Sequence, residues 1–538
     1  MTGYLTTTQS TCRQCRRLIA ARVMARNDGV WLEKICPEHG PQEARVYGDA
    51  AGYLGLGRFH RRASQPLDFA RKFTGCPDSC GLCPEHEQHV CLPILEITDH
   101  CNLDCPICLV TNPGTRHLTR ADVARILDGL IRSEGQIDVL NLSGGEPTLN
   151  PEFREIVEEC VARKEILRVS VSTNGTVLTR DAELLRFLAD RRVIVSLQFD
   201  GLSDDVYQTL RGRPLREEKL RLIDQCAELG AAMSLTATVV RGVNDDRVAE
   251  VADLLFAHRH ILSAMFQPAA YAGRAAKFRL SDGHPGVGNI ASSDSPPLTR
   301  HSGTLSPSDG EREGVRGRPT GAVTIPDVLR ALAGAAGGTV SAEDFSPLPC
   351  SHPACFALAF YLEVEEKGYR PIKPMIDAAR YLDLIQNRAL FGTDADSFAR
   401  ITDAVYELWS GPAALSPDSQ KALAAIRRLL AEAAKGGYSA RQAVAVAERS
   451  VKSIFIHQFM DPDTFDLSRA RKCCQVYPQP DGRLIPACVR NCLRGGLKTV
   501  HSVGRGVPAE PDIGESRNGS PGTVRPTNPK QAPRKESP

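Results

Sequence analysis

Between Leu92 and Pro268 the chain follows a regular rhythm. Short apolar runs of strand length, each ended by Gly, Pro, Asn or Asp, alternate with stretches of helical period. The expected strands are Leu92–Thr98, Asp138–Leu142, Leu167–Ser172, Val193–Phe199, Met233–Val240 and Ile261–Gln267. The expected helices between them are Thr119–Ile131, Pro151–Arg163, Asp181–Ala189, Arg216–Leu229 and Asp246–Phe256. This alternation predicts an α/β fold, a parallel sheet with helices outside. The six units are fewer than a closed barrel needs. Ligands of such sheets sit at the carboxyl ends of the strands.

The flanks read differently. Val23–Val30 and Trp31–Ile35 form an expected hairpin turned at Asn27-Asp28-Gly29. Ser281 to Gly321 is rich in Ser, Pro, Gly, Asp and Arg, a composition too poor in apolar residues to order itself. The tail from Gly506 to Pro538 is similar. Between them helices are expected from Thr324 and Pro326 to Gly337-Gly338, then over Met375–Leu390, Asp396–Trp409, Pro417–Ala434 and Ala440–Phe459. The chain therefore divides into a metal-knuckle module (1–50), an iron–sulfur loop (51–91) and the α/β core (92–280). A disordered insertion (281–321), a mostly helical C-terminal domain (322–505) and a disordered tail (506–538) follow.

Composition narrows the function. The 66 basic and 64 acidic residues nearly balance, and no basic stripe interleaved with aromatics appears, so nucleic acid is not an expected partner. No apolar run is long enough to span a membrane, so any membrane association would be peripheral. The 18 cysteines lie mostly in short-spaced groups. Met1 to Ser10 lacks the apolar core of a secretory signal, so these groups read as metal ligands in a reducing cytoplasm.

The cysteine groups carry the chemistry. Cys101-x3-Cys105-x2-Cys108 follows the first strand; three thiolates on an iron–sulfur cluster would leave one iron open to a ligand. Cys76-x3-Cys80-x2-Cys83 repeats that spacing, but Cys91 supplies a fourth ligand, so this copy reads as a closed auxiliary [4Fe–4S] cluster, with zinc the alternative. Cys12-x2-Cys15 and Cys36-x2-His39 form a pair of knuckles suited to one zinc or one mononuclear iron. Cys350 and Cys355, with one of Cys473 and Cys474, and Cys488 would close a second auxiliary cluster, again with zinc the alternative. Cys160 and Cys226 stand alone inside helices and read as core thiols.

The Cys101–Cys108 spacing resembles that of the radical S-adenosylmethionine (SAM) enzymes. The resemblance implies a partial (β/α)6 barrel in which the three cysteines hold a [4Fe–4S] cluster. Its open iron would bind SAM, which on reduction yields a 5′-deoxyadenosyl radical. Gly144-Gly145-Glu146-Pro147 resembles the family's GGEP motif, which holds the SAM amino group, and Ser172, Thr173 and Asn174 match the position that binds its carboxylate or ribose. Gln198 and Asp200 would face substrate or ribose. Ile107 departs from the family, which usually has an aromatic residue there.

Further stretches resemble one subgroup: Cys36-Pro-Glu-His-Gly40, Gly81-Leu-Cys83-Pro84-Glu-His86, Pro347 to Pro353, and Cys473-Cys474 with Asp481-Gly482-Arg483 and Pro486-Ala-Cys488. The subgroup contains archaeal tetraether lipid synthases and proteins described as dihydropterin methyltransferases; this chain departs from it at Ala487 and Arg490, where bulky aromatics are expected. The implied reaction is carbon–carbon coupling of lipid tails, the first alternative is methylation of a dihydropterin, and the second is a non-catalytic electron-transfer protein. The implied partners are a small-molecule or lipid substrate and an electron donor such as ferredoxin or flavodoxin.

Overall fold

The N-terminal segment folds as a four-stranded antiparallel sheet of β1 (Gly3–Thr11), β2 (Leu18–Arg26), β3 (Gly29–Cys36) and β4 (Gly40–Tyr47). The hairpin between β2 and β3 turns at Asn27 and Asp28, as their turn chemistry suggests. Six parallel strands follow: β5 (Leu92–Thr98), β6 (Ile137–Gly144), β7 (Ile166–Thr173), β8 (Ile194–Gln198), β9 (Met233–Val239) and β10 (Ile261–Pro268). Each pairs with the next in sequence order. This is the wall of a partial barrel.

The computed structural model describes residues 3–68, 75–77, 80–278, 322–366, 368–375, 417–433, 441–442, 448 and 450–493. The expected insertion and tail lie outside the described residues. So do the helices expected at Met375–Leu390, apart from Met375 itself, and at Asp396–Trp409.

The helices end where the sequence says they should. Arg120–Glu134 starts on a reciprocal Thr119–Asp122 capping box and stops at Gly135, at φ 73°. Arg216–Leu229 stops at Gly230, which takes the left-handed conformation that spares a Cβ clash. Apolar residues of these helices pack with the outward side chains of the strands in one continuous core, which also takes in Val23, Val30 and Leu32 of the N-terminal sheet.

The C-terminal segment departs from the helical expectation. Pro417–Ala433 is a helix, and Ile325–Leu332 begins at the Thr324 cap. The rest of the described segment includes the short helices Leu467–Arg471 and Ala487–Leu493 and five strands: β11 (Phe356–Glu365), β12 (Gly368–Pro371), β13 (Val451–His457), β14 (Gln475–Pro478) and β15 (Leu484–Pro486). β13 lies inside the stretch expected to be the helix Ala440–Phe459, yet Val451 to His457 alternates partly exposed and buried residues with period two. The alanine-rich residues before it carry the helical signal, and the β-branched alternation after it wins. β13 pairs in parallel with β10, and β14 in parallel with β5, so the sheet gains a strand at each open edge of the barrel.

Asn150 locks the first two units together. Its buried Nδ2 donates to the carbonyls of Ile97 (2.7 Å) and Leu118 (2.9 Å), and its Oδ1 accepts from the Glu152 amide at 2.8 Å. Asn150→Ala removes two buried hydrogen bonds to backbone carbonyls, one of which, Ile97 O, keeps the Leu118 amide. We expect it to cost about 2–4 kcal/mol, read as a lowered urea midpoint at unchanged slope.

Candidate functional site

The loop after β5 is set by its own side chains. The Thr98 hydroxyl accepts from the His100 amide at 3.0 Å, and the Asp99 carboxylate accepts from the Arg116 amide at 2.7 Å. Cys101, Cys105 and Cys108 then face one cavity. Burial raises the Cys101 thiol to about 11 and raises Cys108 as well, so these thiols ionise against a cation rather than in its absence. Ile107, aliphatic where the resemblance usually implies an aromatic, packs in a cluster with Val206, Leu210, Val240, Val243 and Phe278.

The end of β6 closes on this loop. Gly145 donates to Thr98 O at 2.9 Å, and Glu146 donates to His100 O at 2.7 Å. A Cβ at Gly144 would lie 2.0 Å from Thr98 O, and one at Gly145 would lie 2.2 Å from His100 O. Only glycine permits this approach. Glu146 is nearly sealed from solvent, and its carboxylate is occupied: Oε1 accepts from Thr173 Oγ1 (2.8 Å) and Thr148 Oγ1 (2.7 Å), and Oε2 from the Asn174 amide (2.8 Å). Burial raises its pKa. Among the described residues the cavity wall here is the backbone of Gly144 and Gly145, with Glu146 behind it gripping the end of β7; Pro147 opens the following turn. Ser172, Thr173 and Asn174 line the cavity, and Asn174 Nδ2 donates to Asn102 Oδ1 at 2.8 Å, which ties β7 back to the cysteine loop.

Two cations that sequence reasoning missed complete this end. Arg211 closes the short helix Asp204–Arg211, packs against the Cys105 thiol and forks onto Asp200 at 2.7 and 2.8 Å. Lys219 is 1% exposed; its ammonium donates to Gln198 Oε1 at 3.0 Å and to Asn174 O. Burial pushes that ammonium down to about 7 against the pull of Asp200. The signal available was Asp200-Gly201, which marks a strand end, followed by Arg211 just before Gly212.

Below the loop the lumen is lined with small hydroxyls. Register places Ser172, Ser196, Ser234, Ser263 and Ser453 side by side across β7, β8, β9, β10 and β13. All five line the cavity of about 580 Å³, together with Asn141, Ser170 and Thr236. Asn141 bridges Ser170 and Ser172 at 3.0 Å each. Barrel interiors normally fill these positions with branched aliphatic side chains. Phe356, Phe455 and Phe459 form an apolar wall beside the ring, and Arg168 pairs with Glu448, which also borders the cavity.

The remaining cysteines gather elsewhere. Cys12, Cys15, Cys36 and His39 bring their ligand atoms within 4.8 Å of one another. Cys91 meets Cys350 and Cys474, with Cys355 in the same cluster of buried side chains. Cys473 meets Cys488; Cys76 meets Cys80, and Cys80 belongs to the same apolar cluster as Cys488, with Cys76 packed against it. Cys83 lies buried in the same loop, near Cys76. Cys160 and Cys226 are core thiols. Arg490, the unexpected residue, pairs with buried Glu96 and stacks on Tyr477 with its guanidinium 4.3 Å from the ring. Among the described residues no helix is long and apolar enough to cross a membrane.

Residues 95–255 match the Radical SAM superfamily, and residues 4–48 match the HMPTM N-terminal zinc ribbon domain. A 7,8-dihydro-6-hydroxymethylpterin dimethyltransferase of Methanocaldococcus jannaschii is 26% identical over 518 residues, covering 90% of this chain and 93% of that protein. A GTP 3′,8-cyclase of Streptomyces coelicolor is 33% identical over 168 residues, covering 30% of this chain and 47% of that protein. Among solved structures, Streptococcus suis SuiB bound to its precursor peptide SuiA covers 36% of this chain and 43% of that chain at 16% identity, with a TM-score of 0.32.

Two outcomes follow from this geometry. Cys15→Ser should lower zinc, or mononuclear iron if that is the ion held, by about one atom per chain and leave the iron–sulfur absorbance unchanged, as metal analysis will show; zinc and iron both unchanged refute the site. Lys219→Met should release Gln198 and the Asn174 turn and weaken SAM binding about tenfold, or ~1.4 kcal/mol, by equilibrium dialysis, with iron content unchanged.

Proposed function

We propose that this radical SAM enzyme methylates a reduced pterin, or a flat heterocycle of the same hydrogen-bonding kind, held in the lumen of its barrel. The observation that carries the reading is the serine ring. A heterocycle has ring nitrogens and an exocyclic amine to satisfy at its edge and an aromatic face to bury. The lumen offers hydroxyls and the Asn141 amide at one level, with phenylalanine faces beside them. The relative that matches along nearly its whole length bears a pterin-methylating name, which supports the same direction.

Carbon–carbon coupling of lipid tails, the reaction placed first by sequence resemblance, asks for a different lining. Hydrocarbon gains nothing from hydroxyls whose hydration it strips away. An electron carrier has no use for an open lumen beneath its cluster.

With its iron–sulfur cluster and SAM bound, the Cys101–Cys108 loop would supply the radical chemistry that opens an unactivated C–H bond. This chain's own residues do the rest. Gly144 and Gly145 let the cofactor loop and the second strand meet. Arg211 and Lys219 hold Asp200, Gln198 and Asn174 in place around the SAM end. The ring hydroxyls orient the heterocycle, and the aromatic wall keeps water from the radical. The reading also calls for an electron donor of the ferredoxin or flavodoxin kind.

Cells expressing the chain should accumulate pterins carrying added methyl groups, seen by mass spectrometry. A variant with Cys101, Cys105 and Cys108 all changed to Ala should not. Ser196→Val combined with Ser234→Val should keep substrate-free SAM cleavage and lose at least about tenfold in pterin methylation, ~1.4 kcal/mol in the barrier. Full methylation by the double valine variant, or no methylated pterin beside active SAM cleavage, would sink the reading.

A further inference from the structure

The thiols outside the SAM loop do not group as their order in the chain suggests. Cys91 ends the segment that begins at Cys76, yet its thiol meets those of Cys350 and Cys474. The backbone enforces this: the amides of Cys91 and Leu92 both donate to Cys474 O, at 3.0 and 3.2 Å, and Gln475 pairs with Leu92 where β14 joins β5. Cys355 packs into the same group. Cys473, the neighbour of Cys474 in sequence, meets Cys488 instead, and Cys355 stands close to that pair as well. The loop carrying Cys76 and Cys80 docks on this second side, with the Glu87 amide on Arg471 O at 2.8 Å and His86 Nε2 at 3.0 Å from Cys473 O; Cys80 shares an apolar cluster with Cys488, and Cys76 packs against that cluster.

Arg469 says what kind of group these thiols receive. It is 3% exposed, and Nη2 donates to Cys355 Sγ at 3.4 Å. Its charge also acts on Cys488 on the other side. Among the described residues, its Nε and Nη1 are buried without a hydrogen-bond partner. Asp466 supplies one nearby negative charge, but these donors stay idle, and a buried guanidinium so placed beside thiols favours anionic sulfur there. An iron–sulfur cluster held by four thiolates supplies it.

We propose that the adjacent residues Cys473 and Cys474 belong to two different iron–sulfur clusters, one on Cys91, Cys350, Cys355 and Cys474, the other on Cys76, Cys80, Cys473 and Cys488. One peptide unit then joins the two clusters, and Arg469 compensates the charge of both. The first cluster borders the lumen, since Cys91 and Cys474 line the cavity. The second lies behind it, where Cys76 is partly exposed. A single electron given up by the outer cluster, which is thereby oxidised, reduces the inner one, so the dipeptide is the short path from surface to lumen. This holds whatever the substrate is.

The test uses the full chain with Cys101, Cys105 and Cys108 changed to Ala, so that only the other clusters contribute. The protein is reconstituted, reduced with dithionite and examined by electron paramagnetic resonance, with iron counted per soluble chain. Serine replacements keep an oxygen ligand and the fold while altering the signal of the cluster they touch. Cys91→Ser and Cys350→Ser should alter one signal, and Cys80→Ser and Cys488→Ser the other. Cys474→Ser should join the first pair and Cys473→Ser the second, and each serine variant should lose at most about four irons. If Cys91→Ser alters the same signal as Cys80→Ser, or if either Cys473→Ser or Cys474→Ser leaves both signals intact, the division is wrong. Zinc in place of iron, or loss of both signals in any single serine variant, also overturns it.

Discussion

Everything at the mouth of this barrel depends on how closely the ends of β5 and β6 approach. Two backbone hydrogen bonds join them, Gly145 to Thr98 and Glu146 to His100, and no side chain fits between. Once that contact is made, Glu146 is committed. Its buried carboxylate reaches across to Thr173 and Asn174 and fixes the third strand end to the second. The cysteine loop, the glycine turn and the Asn174 turn are therefore one rigid unit. A site built on strand ends held this way can place a reactive atom to within the tolerance that radical chemistry demands.

The second constraint is volume. A parallel barrel of this size would ordinarily fill its own interior. Here Ser172, Ser196, Ser234, Ser263 and Ser453 stand at one level of the wall, and the space they leave is the cavity. Stability is recovered outside the wall, where Ile156, Leu188, Leu222 and Leu255 are fully buried against the strands. The chain spends its apolar side chains on one face of each strand and keeps the other face for a ligand.

Charge follows sulfur. The chain is almost neutral overall, yet Arg211 lies against Cys105 and Arg469 between two other thiol groups, each nearly sealed from solvent. Buried cations are costly unless paired. Arg211 is paired with Asp200, and the idle donors of Arg469 make sense where the neighbouring sulfurs are thiolates. Arg490 likewise pairs with a carboxylate, Glu96, and covers Tyr477, which accounts for an arginine where an aromatic residue was expected.

The sequence by itself determined the six strand–helix units, the loop of Cys101, Cys105 and Cys108, the glycine turn and the N-terminal knuckles. Each is local: a period, a short spacing or a turn dipeptide written within a few residues. The strand β13 was hidden because an alanine-rich neighbourhood outweighed a short alternation, and only pairing with β10 and β11 makes that alternation a strand. The serine ring was equally invisible, since its members are scattered over some 280 residues and become neighbours only through register. The tertiary structure also decided which thiols meet. Cys91 lies closer in sequence to Cys83 than to Cys474, but sheet pairing across nearly 400 residues sets its partner, and spacing carries no information about contacts made by another strand.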